Sequence, residues 1–508
     1  MAIQPVNVHD SNQFFGGESF TDENKCSCAA QAIDQLNKDI SDGKVKFLNL
    51  FNNSKFFSED DIPKFIWYEI KASRPSYSYN IPTKINICTS NFIGIYRTRI
   101  NNEDVQINIR PRFGDAVFNY LLTFASNIYL PENAFSSLSN KELAQPLWLM
   151  AILWKAAFDK AITVSHIPHD YIRCEENLSA LKGRLMFQQH IRHNLVFKHR
   201  LYCQYFQYTP DIIINRTIRH CYKILERQFL GNLLGDIAAW DNRLASFGVS
   251  DSPVNAEELD NIVYTPMTES YKLLMEISRM LIDYENLSSE REQIGKEGFS
   301  FFIDISQIWE NYIIHVLQKY MGNQYIIESP NYEGEQDYLL EDNHRLIKPD
   351  ILIRDKETNK VKAVLDAKYK FYKEIGKTSK DCHAISREDL YQMTSYLWHY
   401  YHKYKAENGK LISLFISPSE KKINLSSPKS ETDRLRKEIE ENQAINSDIK
   451  SFNHMNHVEI GIINLPLLKT EKNDEYKRES EEVFNQIIPE YEKHFAKEIE
   501  NLINYFPE

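Results

Sequence analysis

Two short apolar runs constrain this chain more than any other feature. They span residues 347–354 and 361–369 and are joined by Asp355-Lys356-Glu357-Thr358-Asn359-Lys360. Apolar runs of this length, bounded by polar turn residues, read as buried strands, and two so close in sequence read as a hairpin. Charges interrupt both: Lys348-Pro349-Asp350 opens the first, and Asp366-Ala367-Lys368 sits near the end of the second. Folded antiparallel about a turn near Thr358, the pair brings Asp350 opposite Asp366. Alternate residues of a strand share a face, so Lys368 stands on the side of Asp366. Two carboxylates and an ammonium at one point suit phosphodiester hydrolysis assisted by Mg²⁺. Hard oxygen ligands hold that ion, and the Ala367 carbonyl adds a further donor. The ion activates water, while the lysine orients it or offsets developing negative charge. A solvated hairpin with a surface ion pair is the alternative. Charges set inside buried-strand text count against it, because each needs a partner.

Helices flank the hairpin. Residues 301–321 have amphipathic spacing and carry Glu310 among apolar neighbours, within reach of the ion directly or through water. Residues 389–404 form a second helix in which Gln392 and Tyr396, four apart, share a face. There Gln392 either contacts the phosphate backbone or orients Lys368, with a polar helix edge as the alternative. Residues 411–417 read as a buried strand, 418–450 as a charged insertion, and 458–465 as a last strand before a charged helix pair. Helices alternating with strands describe a compact α/β (α+β) domain at this end.

At 508 residues the chain exceeds one hydrophobic core, and three regions are expected. Residues 1–110 form a strand-containing docking or specificity region. Within it Ile85, Ile87, Ile93 and Ile95, then Val105, Ile107 and Ile109, alternate at two-residue steps. Residues 111–295 are mainly helical, with helices expected over 116–130, 143–160 and 210–230. Residues 296–508 form the domain that carries the hairpin. No apolar run approaches the roughly 20 residues of a bilayer span, and the N-terminus lacks an export signature. A cytoplasmic address is expected. A net charge of −11 does not advertise nucleic-acid binding, so any phosphate contact is local or shared with a partner. The stretch 181–200 is the local exception: it holds Lys182, Arg184, Arg192, Lys198 and Arg200 and no acidic residue.

Several blocks, in order, match a known family. They are Phe118-Asn119-Tyr120-Leu121-Leu122-Thr123-Phe124-Ala125, Leu181-Lys182-Gly183-Arg184-Leu185-Met186-Phe187, Asn215-Arg216-Thr217-Ile218, Trp309-Glu310-Asn311-Tyr312, the Lys348-Pro349-Asp350 and Asp366-Ala367-Lys368 pair, and Asp389-Leu390-Tyr391-Gln392-Met393-Thr394-Ser395-Tyr396. Through them the chain resembles McrC, the nuclease subunit of McrBC-type modification-dependent restriction systems, including LlaJI-like relatives. The resemblance covers roughly residues 110–470. It implies a PD-(D/E)xK core, a restriction-endonuclease-like mixed sheet flanked by helices, with Asp350, Asp366 and Lys368 at the motif positions. It also implies a McrB-like AAA+ GTPase ring as partner, which binds the GTP and engages double-stranded DNA while this subunit cuts. Nuclease domains of two subunits pair during cleavage on this reading. The rivals are a non-catalytic adaptor that regulates such a ring and a stand-alone nuclease.

Other motifs carry less. Gly376-Lys377-Thr378-Ser379 imitates a phosphate-binding loop, but Phe371 stands where that loop needs glycine. Cys26 and Cys28 have no second pair at zinc spacing, and His166 and His169 flank a proline that disfavours a helical metal pair. His383 precedes the Gln392 helix and has no assigned role.

Overall fold

The computed structural model describes residues 4–11, 18–20, 23–42, 45, 47, 66–70, 85–100, 103–123, 148–164, 166–196, 199–227, 234–289, 299–330, 337–340, 344–372, 375, 384–403, 411–423, 428–441, 445–451, 458–470 and 478–504. Gly376 to Ser379 and His383 lie outside them. The fold is α+β, as expected, in two compact units. One comprises Met1–Ser136 and Gly295–Glu508, the other Ser137–Ile294.

In the first unit, four strands form a sheet in the order β1 (Gln4–His9), β6 (Glu103–Arg110), β5 (Phe92–Ile100) and β10 (Phe299–Asp304). The alternating isoleucines account for β5 and β6, and also for Ile85–Thr89 in a second, three-stranded sheet. The helix Glu23–Ser41 shares their core: Ala29, Ile33 and Leu36 are buried together with Ile87, Val105 and Ile107. Residues 301–304 are strand rather than the start of the expected helix, for two reasons. β10 pairs antiparallel with β5 over Phe299–Asp304. Asp304 then caps the helix Ile305–Met321 by accepting a hydrogen bond from the Ser306 amide at 2.9 Å. Gly94 of β5 adopts φ +148°, and a methyl group there would collide with the Phe301 carbonyl. Gly94→Ala is therefore expected to destabilise the protein by more than about 2 kcal/mol, seen as a lower thermal midpoint.

The largest sheet of this unit among the described residues has six strands, in the order β11 (Tyr325–Glu328), β14 (Ile351–Asp355), β15 (Val361–Ala367), β16 (Leu411–Ile423), β18 (Val458–Thr470) and β17 (Ser447–Ser451). β14 and β15 form the expected hairpin. Ile351 faces Leu365, Leu352 faces Val364 and Ile353 faces Ala363, and the register slips only beyond Ile353. β15, β16 and β18 run parallel. Both faces of the hairpin are covered, which is why its text is continuously apolar. Leu352, Val364 and Phe415 pack with Met393, Leu397 and Tyr400 of the helix Arg387–Lys403. Ile351, Ile353 and Leu365 alternate to the opposite face and are fully buried.

The charged insertion starts later than the sequence suggests, because β16 continues through Pro418 to Ile423. Pairing with β15 ends at Ile416, so at Pro418 that side of β16 has lost its ladder partner and a missing N–H is tolerated. The rest of the insertion contains the helix Pro428–Glu440 and the strand β17, which completes the sheet. The expected C-terminal helix pair is a single helix, Arg478–Asn504, running through Pro489. Its Glu492, fully buried, accepts hydrogen bonds from the hydroxyls of Tyr120 at 2.6 Å, Tyr312 at 3.1 Å and Tyr320 at 3.3 Å. Tyr312 and Tyr320 belong to the helix that carries Glu310, so this carboxylate fixes that helix.

The other unit contains the expected helices, observed as Trp148–Val164 and Ile213–Glu226, together with Lys272–Ser289. The Trp154 indole donates to Ser278 Oγ at 2.8 Å between two of them. This region is not helical throughout. Asp170–Leu178, Arg184–Leu185 and Leu201–Thr209 form a three-stranded sheet, consistent with the extended, aromatic-rich text of the last strand.

Candidate functional site

The site assembles where β15 ends and β14 begins. Asp366 is the penultimate residue of β15, and Asp350 immediately precedes β14. Continued by one step, the hairpin register sets them opposite each other. The backbone supports the pair, since the Ala367 amide donates to Asp350 Oδ2 at 2.8 Å. The contact seen at Ala367 is thus made by its N–H and reaches the carboxylate. Lys368 leaves the strand with its amide bonded to the Ile416 carbonyl at 2.9 Å. Its Nζ lies 3.0 Å from Asp366 Oδ1 and 3.3 Å from Gln392 Oε1, to which it donates. The Gln392 amide donates to the Tyr396 hydroxyl at 2.8 Å, which donates in turn to the Lys348 carbonyl at 2.9 Å. The helix Arg387–Lys403 thereby ties the loop before Asp350 to the lysine after Asp366. Gln392 is exposed and Tyr396 buried, so the glutamine sits at the open side of this chain of contacts.

The electrostatics are those of a crowded carboxylate site. Burial pushes the Asp350 carboxyl well above its ordinary value, and the carboxylates of Asp366 and Glu310 push it further; Lys368 offsets part of this. Glu310, half-buried on its helix, therefore faces the same cluster. Lys368 is held as an ammonium: burial opposes its charge, but Asp366, Asp350 and Asp389 outweigh burial. Burial and the two aspartates raise the Tyr396 phenol to about 12. Asp366 is 1% exposed, yet neither of its oxygens has a donor in hydrogen-bonding geometry. Lys368 is near enough to form an ion pair with it but badly aligned for a hydrogen bond.

A buried carboxylate whose ion pair with Lys368 is poorly aligned remains short of contacts, and a metal ion would complete it. The donor set is hard oxygen, and two carboxylates that leave room for water fit Mg²⁺, which keeps part of its hydration shell. Among the described residues, no group of three or more His, Cys, Asp or Glu side chains is placed to hold a metal. A cation here would rest on Asp350 and Asp366.

Sequence reasoning missed Asp389, Lys370, Tyr372 and Ser386. Asp389 is buried, and its Oδ2 accepts from Lys370 Nζ at 2.7 Å, from Ser386 Oγ at 2.7 Å and from the Tyr372 hydroxyl. Burial raises its carboxyl, but Lys370 and Lys368 overcome that and bring it to about 2. The signal was present: Asp389, Gln392 and Tyr396 follow at three- and four-residue steps on one helix face.

In the other unit, Lys182, Arg184, Arg192 and Arg200 are all exposed, and Lys198 lies outside the described residues. Phe187, Ile191 and Leu195, at four-residue steps, are exposed beside them. His169 is engaged with the Ile167 carbonyl at 2.8 Å and stacks on Tyr208.

Fold and site together define an α+β protein that gathers paired carboxylates and a lysine at the ends of two inner strands of a mixed sheet. A family model described as McrBC 5-methylcytosine restriction system component matches residues 87–413. That is more than half of the chain, and the chain belongs to this family, the one its sequence blocks pointed to. No curated protein matches it. A solved structure described as a half-complex from the tetradecameric assembly of Thermococcus gammatolerans McrB AAA+ hexamers with bound McrC has a similar fold. Its TM-score is 0.55 at 15% identity, covering 98% of this chain and 100% of that one. A second, of the Thermococcus gammatolerans McrBC complex, aligns at TM-score 0.36 and 14% identity over 63% of this chain and 88% of the other. Among the described residues, no helix is long and apolar enough to cross a membrane.

Proposed function

We propose that this chain is the McrC-type, Mg²⁺-dependent endonuclease subunit of a McrBC-type restriction system, with a PD-(D/E)xK core. The donorless carboxylate of Asp366, set against Asp350 and Lys368, carries the reading. Asp350 and Asp366 would hold Mg²⁺, with Glu310 bordering the site and the Ala367 carbonyl as a further donor. Bound there, the ion would polarise the scissile phosphate and lower the pKa of a water. Lys368, favoured as an ammonium by the carboxylates around it, orients the attacking water and offsets charge developing on the phosphate. Gln392 aligns that ammonium from its exposed helix face and is placed to touch the DNA backbone.

The partner is a McrB-like AAA+ ring that binds the GTP. The acidic net charge supports a division of labour in which the ring makes most phosphate contacts with double-stranded DNA. The exposed apolar stripe Phe187, Ile191 and Leu195, flanked by arginines, supports docking of the ring on that unit. Among the described residues there is one such site, so breaking both strands calls for the nuclease domains of two chains.

The test is cleavage of modified and unmodified plasmid DNA with Mg²⁺, by the chain alone and with its ring and GTP. Nicked or linear products that vanish with EDTA are expected. Intact DNA in every arm, together with ring GTP hydrolysis that still rises on adding this chain, would replace the reading with that of a non-catalytic regulator.

A further inference from the structure

Lys368 stands between two carboxylates. Its Nζ is 3.0 Å from Asp366 Oδ1 and 3.7 Å from Asp389 Oδ1. Asp389 is held firmly: three donors saturate its Oδ2, and its own amide bonds to Ser386 Oγ at 3.1 Å. Only Oδ1 is presented to the lysine. Asp366 is the opposite case, since no donor fixes either oxygen.

A divalent cation arriving at Asp366 competes with the ammonium already paired to it. Displaced, Lys368 would be a poorly hydrated cation beside a dication, an arrangement that repels strongly at short range in a poorly polarisable setting. It needs a second anion within reach. We infer that Asp389 is a positioning residue that acts through Lys368: it takes over the ammonium when a cation claims Asp366, and so sets the affinity of the metal site. This rests on the nuclease reading above, because it presumes a cation at Asp366.

The experiment uses the full chain without DNA and titrates Mn²⁺, reading free ion by electron paramagnetic resonance. Four proteins form a cycle: wild type, Asp389→Asn, Lys368→Met and the double variant. Asp389→Asn is expected to weaken Mn²⁺ binding by about tenfold, and by less than about twofold when Lys368 is already Met. That is a coupling of roughly 1 kcal/mol through the lysine. Equal weakening in both backgrounds overturns the inference, because Asp389 then acts as a through-space charge. No weakening in either background overturns it as well. Asp366→Ala separates the two levels. If Mn²⁺ binding ignores that substitution, the nuclease reading falls and the inference with it. If binding requires Asp366 while the cycle shows no coupling, only the inference falls. Should Asp389→Asn not fold, Ser386→Ala removes one anchor from Asp389 and carries the same test, with an expected weakening of about threefold that again requires Lys368.

Discussion

Asp366→Asn is expected to abolish DNA cleavage, by at least about a thousandfold, while raising the thermal midpoint of the metal-free protein. The two effects share one cause. In the folded chain the Asp366 carboxylate is buried, lacks hydrogen-bond donors and faces Asp350, whose carboxyl is driven up by burial and by this neighbour. Asparagine keeps the shape and removes the charge, so the metal-free protein loses that repulsion. It also no longer buries a carboxylate whose ion pair with Lys368, at 3.0 Å, is too poorly aligned to be a hydrogen bond, a relief of about 1–3 kcal/mol. Lys368 is not stranded by the change, because Gln392 at 3.3 Å and Asp389 at 3.7 Å remain beside it. A catalytic carboxylate held against the preference of the fold commonly behaves this way, and its replacement exchanges activity for stability. Adding Mg²⁺ should raise the midpoint of the wild type and leave that of the variant unchanged. Calorimetric melts with and without Mg²⁺, beside a plasmid nicking assay, decide the matter. A variant that still cuts, or that melts earlier than wild type without metal, contradicts this account of the site.

How much of this was legible in the sequence depended on the range of the interaction. The hairpin was readable because strand side chains alternate with period two, so the turn at Thr358 alone fixes which residues face each other. Ile351 does face Leu365. Gln392 and Tyr396 were readable for the corresponding helical reason, and their side chains do meet. Residues 301–304 were misread because their partner, β5, lies some two hundred residues earlier, and nothing local distinguishes a buried strand from the first turn of a buried helix. The extension of β16 past Pro418 was hidden by a local rule that holds for central strands and relaxes where a neighbour ends. Asp389 was overlooked for another reason. An acidic residue in the first turn of a helix is ordinary, and only the fold brings Lys370 and Lys368 to it.

Arg112→Leu is expected to destabilise this unit by about 3–5 kcal/mol and to reduce cleavage, although Arg112 lies in the turn after β6, far from the site in sequence. The reason lies in a buried cluster next to the site. Asp10, at 0% exposure, accepts the Arg112 amide at 2.5 Å. The Arg112 guanidinium donates to the Tyr369 carbonyl at 3.2 Å and lies 4.2 Å from the centre of the Tyr369 ring. Tyr369 directly follows Lys368, so the arginine fastens the backbone that carries the Lys368 ammonium. Burial already raises the Asp10 carboxyl, and Arg112 is the largest charge opposing that rise. Without the guanidinium, Asp10 loses the largest charge that compensates its burial and keeps the backbone amide of residue 112, Ser11 and His9. An acid whose folded-state pKa is raised favours folding when protonated, below its unfolded value near 3.8, and disfavours it as pH climbs through the raised value. The stability deficit of Arg112→Leu should therefore be largest near neutrality and shrink as pH falls toward 4. Adding Asp10→Asn to the variant should restore part of the lost stability at pH 7, because the stranded charge is gone. It should not restore cleavage, because Tyr369 remains unfastened. Thermal midpoints from pH 4 to 8 for the three proteins, with nicking rates at pH 7, separate these outcomes. A deficit that ignores pH, or a double variant as unstable as the single one, would mean that Arg112 contributes packing alone.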